Sequence, residues 1–180
     1  MMVSYFSTLD DITHFIQILR EEYHYIGELG AKFETPLAVA NVDAVLSLGQ
    51  ISLTMFGRGD LRIEMDPRAI ANMHDIQTHF FSICRKHAVE SICATGFVES
   101  MIPLDGKITP EEIYDMETSM RTYADHLMLS GESSYGAQAK NCIETEAHYQ
   151  REMFTKLQTN TITYFPRPEV SLRELLYLDQ

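Results

Sequence analysis

Residues Ser134–Leu157, SYGAQAKNCIETEAHYQREMFTKL, form a long helical pattern with one acidic residue inside its apolar stripe. The residues that define the stripe are Tyr135, Ala139, Cys142, Met153 and Leu157. Glu146 lies at the centre of the stripe when each residue advances the helix by about 100°. An isolated buried carboxylate is costly, so this side chain must be paired, protonated or hydrated. Glu146 is therefore a candidate functional group.

Further helical patterns precede and follow this stretch, and most of them have a recognisable start. Thr109, Pro110 and Glu112 combine a capping box with proline at the first helical position. Ser171 and Glu174 form a second capping box close to the carboxyl terminus. The predicted helix starts are Ser7, Thr35-Pro36, Asp66-Pro67, Thr109-Pro110 and Ser171.

Two of these helices have boundaries that matter for the fold. The apolar pattern that begins at Asp66-Pro67 predicts a helix that continues to about Ala94, with Gly96 just beyond its end. Residues 36–48 also begin like a helix, but their valines would suit a strand equally well. Both a helix and a strand remain open for that segment.

The predicted β-structure centres on the tetrapeptide Gly57-Arg58-Gly59-Asp60. The apolar runs 51–56 and 61–65 flank it, which favours a β-hairpin with a glycine-containing turn. Residues 161–165 or 3–6 would add a further strand, because an isolated hairpin is marginally stable. The sequence thus predicts a mainly α (α+β) fold: a helical bundle of four to six helices with a small antiparallel β-hairpin or sheet, in a single domain over residues 1–180.

Composition and charge narrow the classes of partner. The chain has 180 residues, 45% of them hydrophobic, and carries 26 acidic against 14 basic side chains, for a net charge of −12. Such an acidic surface repels phosphate backbones, which excludes nucleic-acid binding through a basic patch. It favours instead a basic protein partner. Regular apolar seams in the first and fourth predicted helices would also fit a homodimer.

Cysteine usage and the amino terminus predict a cytoplasmic protein. The three cysteines, Cys84, Cys93 and Cys142, are an odd number without close pairing, so neither a disulfide framework nor a zinc ribbon is indicated. The amino terminus lacks the charged and apolar regions of a signal peptide. No window approaches the roughly 18 apolar residues of a membrane-spanning helix, so no membrane association is predicted.

Glu21 and His24 offer the best-spaced pair for a metal ion. A glutamate and a histidine three residues apart on a helix occur in di-iron sites of four-helix bundles. Both side chains, however, lie away from the apolar seam of the first helix, and no second pair of this kind is found. We therefore predict no metal site, and Glu21 with His24 remains the alternative.

His87 and Glu146 are the two polar groups that fall on apolar faces. If their helices pack together, the imidazole and the carboxylate could form a hydrogen bond. Such a pair can serve acid–base chemistry, anchor a ligand or lock the structure, and the structural role is the commoner one. Glu146 could alternatively face a partner and remain hydrated.

Sequence motifs for known catalytic machinery are absent. The chain contains no G-x-S-x-G elbow, no P-loop and no G-x-G-x-x-G after a strand. We therefore predict a non-enzymatic acidic protein-interaction module without a cofactor, such as an inhibitor, an immunity-type protein or a viral anti-defence or accessory protein. The alternative is a ligand- or metal-binding helical enzyme with a pocket near His87 and Glu146.

Overall fold

A computed structural model, which describes residues 1–178, has a parallel β-sheet at its centre. The strands are β1 (Met2–Val3), β2 (Gly30–Phe33), β3 (Leu53–Gly57), β4 (Glu90–Ala94) and β5 (His126–Met128). They lie in chain order, and each pairs in parallel with the next, as in Ala31 opposite Thr54 and Thr54 opposite Ser91. The predicted helical bundle with an antiparallel hairpin is therefore wrong, since the chain forms an α/β fold.

Helices connect the successive strands, as a parallel sheet requires, and the last three helices follow the final strand. They are α1 (Leu9–Gln17), α2 (Pro36–Ala40), α3 (Val42–Ser47), α4 (Arg58–Glu64), α5 (Met73–Lys86), α6 (Pro110–Arg121), α7 (Gly131–Ser134), α8 (Ala139–Gln158) and α9 (Leu172–Leu175). A π-helical turn, Ile18–Glu22, extends α1, and 3-10 turns occupy Pro67–Asn72 and Glu99–Met101. No helix within residues 1–178 is long and apolar enough to cross a bilayer.

The core lies between the sheet and the helices on one of its faces. The rings of Phe33 and Phe56 each lie 5.0 Å from the ring of Phe80 on α5, centroid to centroid. Phe81 packs 5.6 Å from Phe56. All four rings are fully buried, so α5 is the helix that covers the middle of the sheet.

The segment 66–94, predicted as one helix, consists of the 3-10 turn Pro67–Asn72, α5 and β4, and this explains much of the error in fold class. The helix ends at Lys86, His87 caps it, and Ala88 takes a left-handed conformation with φ 54° that reverses the chain. Residues 90–94 then form β4 at the centre of the sheet. The apolar residues of a buried helix and of the following buried strand therefore read as one continuous pattern.

The predicted β-hairpin is also wrong. Residues 53–57 form a strand, but the chain enters α4 at Arg58, so residues 61–65 do not pair with it. Residues 161–165 form no strand; instead the backbone N–H of Phe165 donates to the carbonyl of Arg121. Near the amino terminus only Met2–Val3 pairs with the sheet.

The local sequence signals predicted helices more accurately than strands. The capping boxes of Thr109 with Glu112 and of Ser171 with Glu174 are both formed. Residues 36–48, which fitted either structure, are helical after the predicted Thr35 cap. The long helix predicted at 134–157 forms as α8, but it begins only at Ala139, and Tyr135, which the prediction placed on the apolar stripe, precedes it and is exposed.

Candidate functional site

Polar side chains gather at the carboxyl ends of the parallel strands. In open α/β sheets and in α/β barrels, ligands bind at this edge, where the loops after the strands converge. Ser4 and Tyr5 follow β1, Lys32 and Glu34 lie at the end of β2, and Asp60 and Thr95 follow β3 and β4. This edge is therefore the candidate functional site.

Glu34 is the buried centre of this group. Its side chain is only 1% exposed, and it forms an ion pair with the ammonium of Lys32, two residues earlier on the same face of β2. The hydroxyl of Ser4 donates a hydrogen bond of 2.7 Å to the other carboxylate oxygen. Lys32 remains 29% exposed, so its charge faces the open side of the edge while Glu34 holds it from below.

The carboxylate of Glu34 is stabilised in its ionised form. Burial by itself would raise its pKa, but the hydrogen bonds from Lys32 and Ser4, the charge of Lys32 and the backbone N–H of Tyr5 together lower it. Glu34 therefore carries a fixed negative charge at neutral pH. Its arrangement suits the orientation of a cation better than the exchange of a proton.

Asp60 brings a second carboxylate to the same edge. Desolvation raises the pKa of the Tyr5 hydroxyl, and the charges of Asp60 and Glu34 raise it further, because both carboxylates lie near that ring. Within residues 1–178 no three or more His, Cys, Asp or Glu side chains are grouped as a metal site. Mg²⁺, however, is commonly held by one or two carboxylates and completed by phosphate oxygens and water. Glu34 and Asp60 fit that partial donor set.

Arg58 fixes the start of α4 beside these residues. Its guanidinium is buried and donates to the carbonyl of Thr95 through Nε, 3.0 Å, and to Oδ1 of Asp115 on α6, 2.8 Å. It also lies 4.2 Å from the centre of the Phe97 ring. Gly96, with φ 82°, leaves room for the arginine, since a Cβ there would lie 3.2 Å from Nη2. Arg58 thus ties the carboxyl ends of β3 and β4 together.

The structure does not bring His87 and Glu146 together. Nε2 of His87, at the end of α5, lies 2.6 Å from Oδ1 of Asp43. Glu146 is buried on α8, as the helical pattern predicted, but its Oε1 has no hydrogen-bond partner among the described residues. Burial raises the pKa of Glu146 to about 7, and the charge of Arg151 opposes this only in part. Whether either residue has a functional role stays a prediction.

Glu21 and His24 lie on the surface. Glu21 sits in the π-helical turn and accepts a hydrogen bond from Gln17, and His24 follows the turn in a left-handed conformation with φ 50°. Neither belongs to a group of potential metal ligands in the described part of the chain. The weak alternative of a metal ion at this pair stays a prediction without structural support.

Sequence reasoning missed Lys32, Glu34 and Asp60. A local signal existed for Glu34 alone, since it comes directly before the recognised Thr35-Pro36 cap. A charged residue between a buried strand and a helix start is the pattern of a βα loop. Asp60 was assigned to a turn because the following helix was interpreted as a strand.

Comparison with known proteins identifies the family. The sequence profile described as pyruvate kinase, barrel domain, matches residues 1–143. Pyruvate kinase of Corynebacterium efficiens is 31% identical over 137 residues, 76% of this chain and 28% of that protein. Pyruvate kinase of Debaryomyces hansenii is 33% identical over 137 residues, covering 76% and 26%. Plastidial pyruvate kinase 2 of Arabidopsis thaliana is 30% identical over 124 residues, covering 67% and 21%.

These matches overturn the function predicted from the sequence. The chain spans less than a third of the length of these relatives, but the relatives are metabolic enzymes. The prediction of a non-enzymatic interaction module, whether inhibitor, immunity-type protein or viral accessory factor, is therefore wrong. That prediction relied on the absence of known catalytic motifs. The polar residues at the carboxyl edge of the sheet come from separate strands, so they form no contiguous motif. With the profile matching most of its length and a sheet of successive parallel strands, the chain belongs to the pyruvate kinase barrel-domain family.

Proposed function

We propose that the chain takes part in phosphoryl transfer between a nucleotide and pyruvate at the carboxyl edge of its sheet. The names of the relatives supply the reaction class, and the chain spans about 28% of the first of them. The observation that carries the proposal is the ion pair of Lys32 with the buried Glu34 at this edge. It provides a fixed, partly exposed cation, which supports the binding of an anionic substrate at this edge.

Lys32 has a specific part in this chemistry. A phosphoryl group joins the keto oxygen of pyruvate only as its enol ester, so a methyl proton must leave and negative charge must develop on that oxygen. A preoriented cation stabilises such charge because it is already in place when the charge forms. We assign this contact to the Lys32 ammonium, and Glu34 with Ser4 holds it in position.

Glu34 and Asp60 would hold a divalent cation together with substrate oxygens. When bound, Mg²⁺ neutralises charge on phosphate oxygens and orients them. The low pKa of Glu34 keeps that ligand ionised at neutral pH. The two carboxylates come from the ends of β2 and from α4, so the anchor of α4 at Arg58 also positions Asp60.

Proton exchange at pyruvate tests this assignment directly. The protein is incubated with pyruvate, MgCl₂ and ATP in D₂O, and loss of the methyl signal is followed by proton NMR. We expect the wild-type protein to exchange the methyl protons faster than buffer alone does. In Lys32→Met the exchange rate should fall at least about tenfold, which corresponds to about 1.4 kcal/mol in the barrier. Lys86→Met is the matched control, because Lys86 is exposed and pairs with Asp43 on the surface.

Two results would count against the proposal. One is exchange no faster than in buffer, and the other is equal exchange by Lys32→Met and Lys86→Met. Thermal melts of both variants separate a catalytic loss from unfolding, because Lys32→Met leaves the buried Glu34 without its cation.

A cytoplasmic location is also part of the proposal. The three free cysteines, Cys84, Cys93 and Cys142, are all buried, which fits a reducing compartment. The basic protein partner and the homodimer, expected from charge and apolar seams, remain predictions for pull-down at varied salt and for light scattering.

A further inference from the structure

A cavity lies at the opposite edge of the sheet from Lys32. It has a volume of about 480 Å³, and Glu90 and His126, the first residues of β4 and β5, both line it. The candidate active site is at the carboxyl ends of the strands, so the length of the strands separates the two. The volume of this cavity is within the roughly 300–1,000 Å³ common for small-molecule sites.

A stacked pair of tyrosines forms one part of the cavity wall. Tyr123, in the loop before β5, and Tyr164, beyond α8, have ring centroids 4.3 Å apart and planes 11° from parallel. The guanidinium of Arg85 lies 4.9 Å from the centre of the first ring and 5.1 Å from the second. Tyr123 has φ 74°, a conformation that is costly for a side chain of this size. Three separate segments of the chain therefore meet at Arg85.

The charge of Arg85 is available to a ligand. Within residues 1–178 its guanidinium forms only these two ring contacts, with no hydrogen bond or ion pair to an acidic side chain. The neighbouring acids are engaged elsewhere. Asp125 accepts two hydrogen bonds of 2.9 Å from Ser91, and Glu90 lies 3.8 Å from His126. A planar guanidinium held over aromatic rings is well suited to a carboxylate.

The apolar part of the cavity wall favours a ligand that carries an aromatic ring. Met120 is buried at the base of the cavity, while Phe154 on α8 is 51% exposed and lies at its side. An exposed phenylalanine gains by covering its ring with another apolar surface. The acids Glu90 and Asp125 at the rim, with a net charge of −12 on the chain, disfavour a ligand with two or more negative charges.

These observations lead to one ligand class. We propose that this cavity binds small aromatic carboxylates, with the carboxylate on Arg85 and the ring against Phe154 and Met120. The site is separate from the proposed reaction, so the two can be tested independently.

Saturation-transfer NMR with sodium benzoate tests the proposal on the full chain. We expect transfer to the benzoate ring, and amide shift changes at Tyr123 and Phe154 rather than at Lys32 and Thr95. Arg85→Gln should weaken binding about tenfold, the usual effect of losing a hydrogen bond to a charged group. Arg62→Gln, on the exposed side of α4, is the matched control and should bind like the wild type.

Ligand analogues test the charge requirement without any mutation. Benzamide keeps the ring and loses the charge, and phenyl phosphate keeps the ring with a larger charge. Both should bind at least several-fold more weakly than benzoate. The proposal is overturned by absence of transfer from the wild type, by equal binding to Arg85→Gln, by shifts confined to the Lys32 edge, or by phenyl phosphate binding as tightly as benzoate.

Discussion

The side chain of Glu34 lies directly over Gly57 on the neighbouring strand. A Cβ at position 57 would be 2.6 Å from Cγ of Glu34, closer than two non-bonded carbon atoms can approach. Gly57 has φ −85°, an ordinary value, so its lack of a side chain serves space and not backbone freedom. The glycine thus makes room for the carboxylate that holds Lys32.

Gly57→Ala should displace Glu34 and disturb its contacts with Lys32 and Ser4. We expect a loss of about 1–3 kcal/mol in the free energy of unfolding, typical of an added methyl in a packed site. Urea denaturation measures it. Proton exchange at pyruvate should fall in the same variant, because Lys32 loses its support.

A double variant separates crowding from other effects of the alanine. Glu34→Asp shortens the acid by one methylene, so Gly57→Ala should cost less in the Glu34→Asp background than in the wild type. An equal cost in both backgrounds would mean that the alanine does not collide with Glu34.

Arg58→Met should destabilise the protein strongly. The substitution leaves the Thr95 carbonyl and the Asp115 carboxylate without their donor, and it removes the cation from Phe97. Loss of one partner from a buried ion pair costs about 3–5 kcal/mol, and we expect about 3 because Asp115 is partly exposed. Arg62→Met, on the exposed side of the same helix, should change the free energy of unfolding by less than about 0.5 kcal/mol. Similar losses in both variants would argue against the anchoring role of Arg58.

His79 on α5 joins the carboxyl-terminal segment to the core. Its Nε2 lies 2.6 Å from Nη2 of Arg167, which donates, so the ring proton is on Nδ1 and donates to the carbonyl of Val170 at 3.0 Å. Burial lowers the pKa of His79, the charge of Arg167 lowers it further, and the hydrogen bond to Val170 opposes both only in part. The neutral imidazole is therefore the form that the fold holds.

Stability should fall as the pH decreases below the ordinary histidine value of about 6.5. In that range the unfolded chain binds a proton at His79 and the folded chain does not, so protons favour unfolding. Urea denaturation at pH 7.5 and at pH 5.5 gives the free energy of unfolding at each pH. Its decrease between the two values should be smaller for His79→Gln than for the wild type. His148→Gln is the control, because His148 is exposed on α8, and it should retain the wild-type loss. Equal losses in all three proteins would contradict the prediction.

Helix starts could be predicted from the sequence because their signals are local. Thr109 and Ser171 each satisfy backbone N–H groups within three residues, and such caps depend little on the rest of the chain. Among the strands only β3 gave such a signal, since the predicted run 51–56 overlaps Leu53–Gly57. The paired part of β1 has two residues and β5 has three, too short for an alternating pattern to appear. The turn between α5 and β4 is made by Ala88, not by a glycine or proline, so nothing in the sequence marked it.

The candidate site could not be predicted, because it is assembled across strands. Ser4 and Glu34 are 30 residues apart in the chain and meet only when β1 and β2 pair in parallel. With the sheet interpreted as a hairpin, Asp60 had no reason to lie near either. The helical phase, in contrast, correctly placed Glu146 on the buried face of α8.

Glu146→Gln should stabilise the protein at alkaline pH. Burial raises the pKa of Glu146 to about 7, above its value of about 4.3 in an unfolded chain, so the folded state favours the protonated acid. Stability is therefore lost as the pH rises between these values, and a neutral glutamine of nearly the same shape avoids that loss. We expect a gain of about 1–2 kcal/mol at pH 8, less than the full shift implies because solvent screens part of it, and almost no gain at pH 4.5. Urea denaturation at both pH values measures the difference.

Glu144→Gln, two residues away, exposed and 3.8 Å from Lys140, should change stability little at either pH. A lower stability of Glu146→Gln at pH 8 would show instead that the ionised carboxylate has a favourable partner.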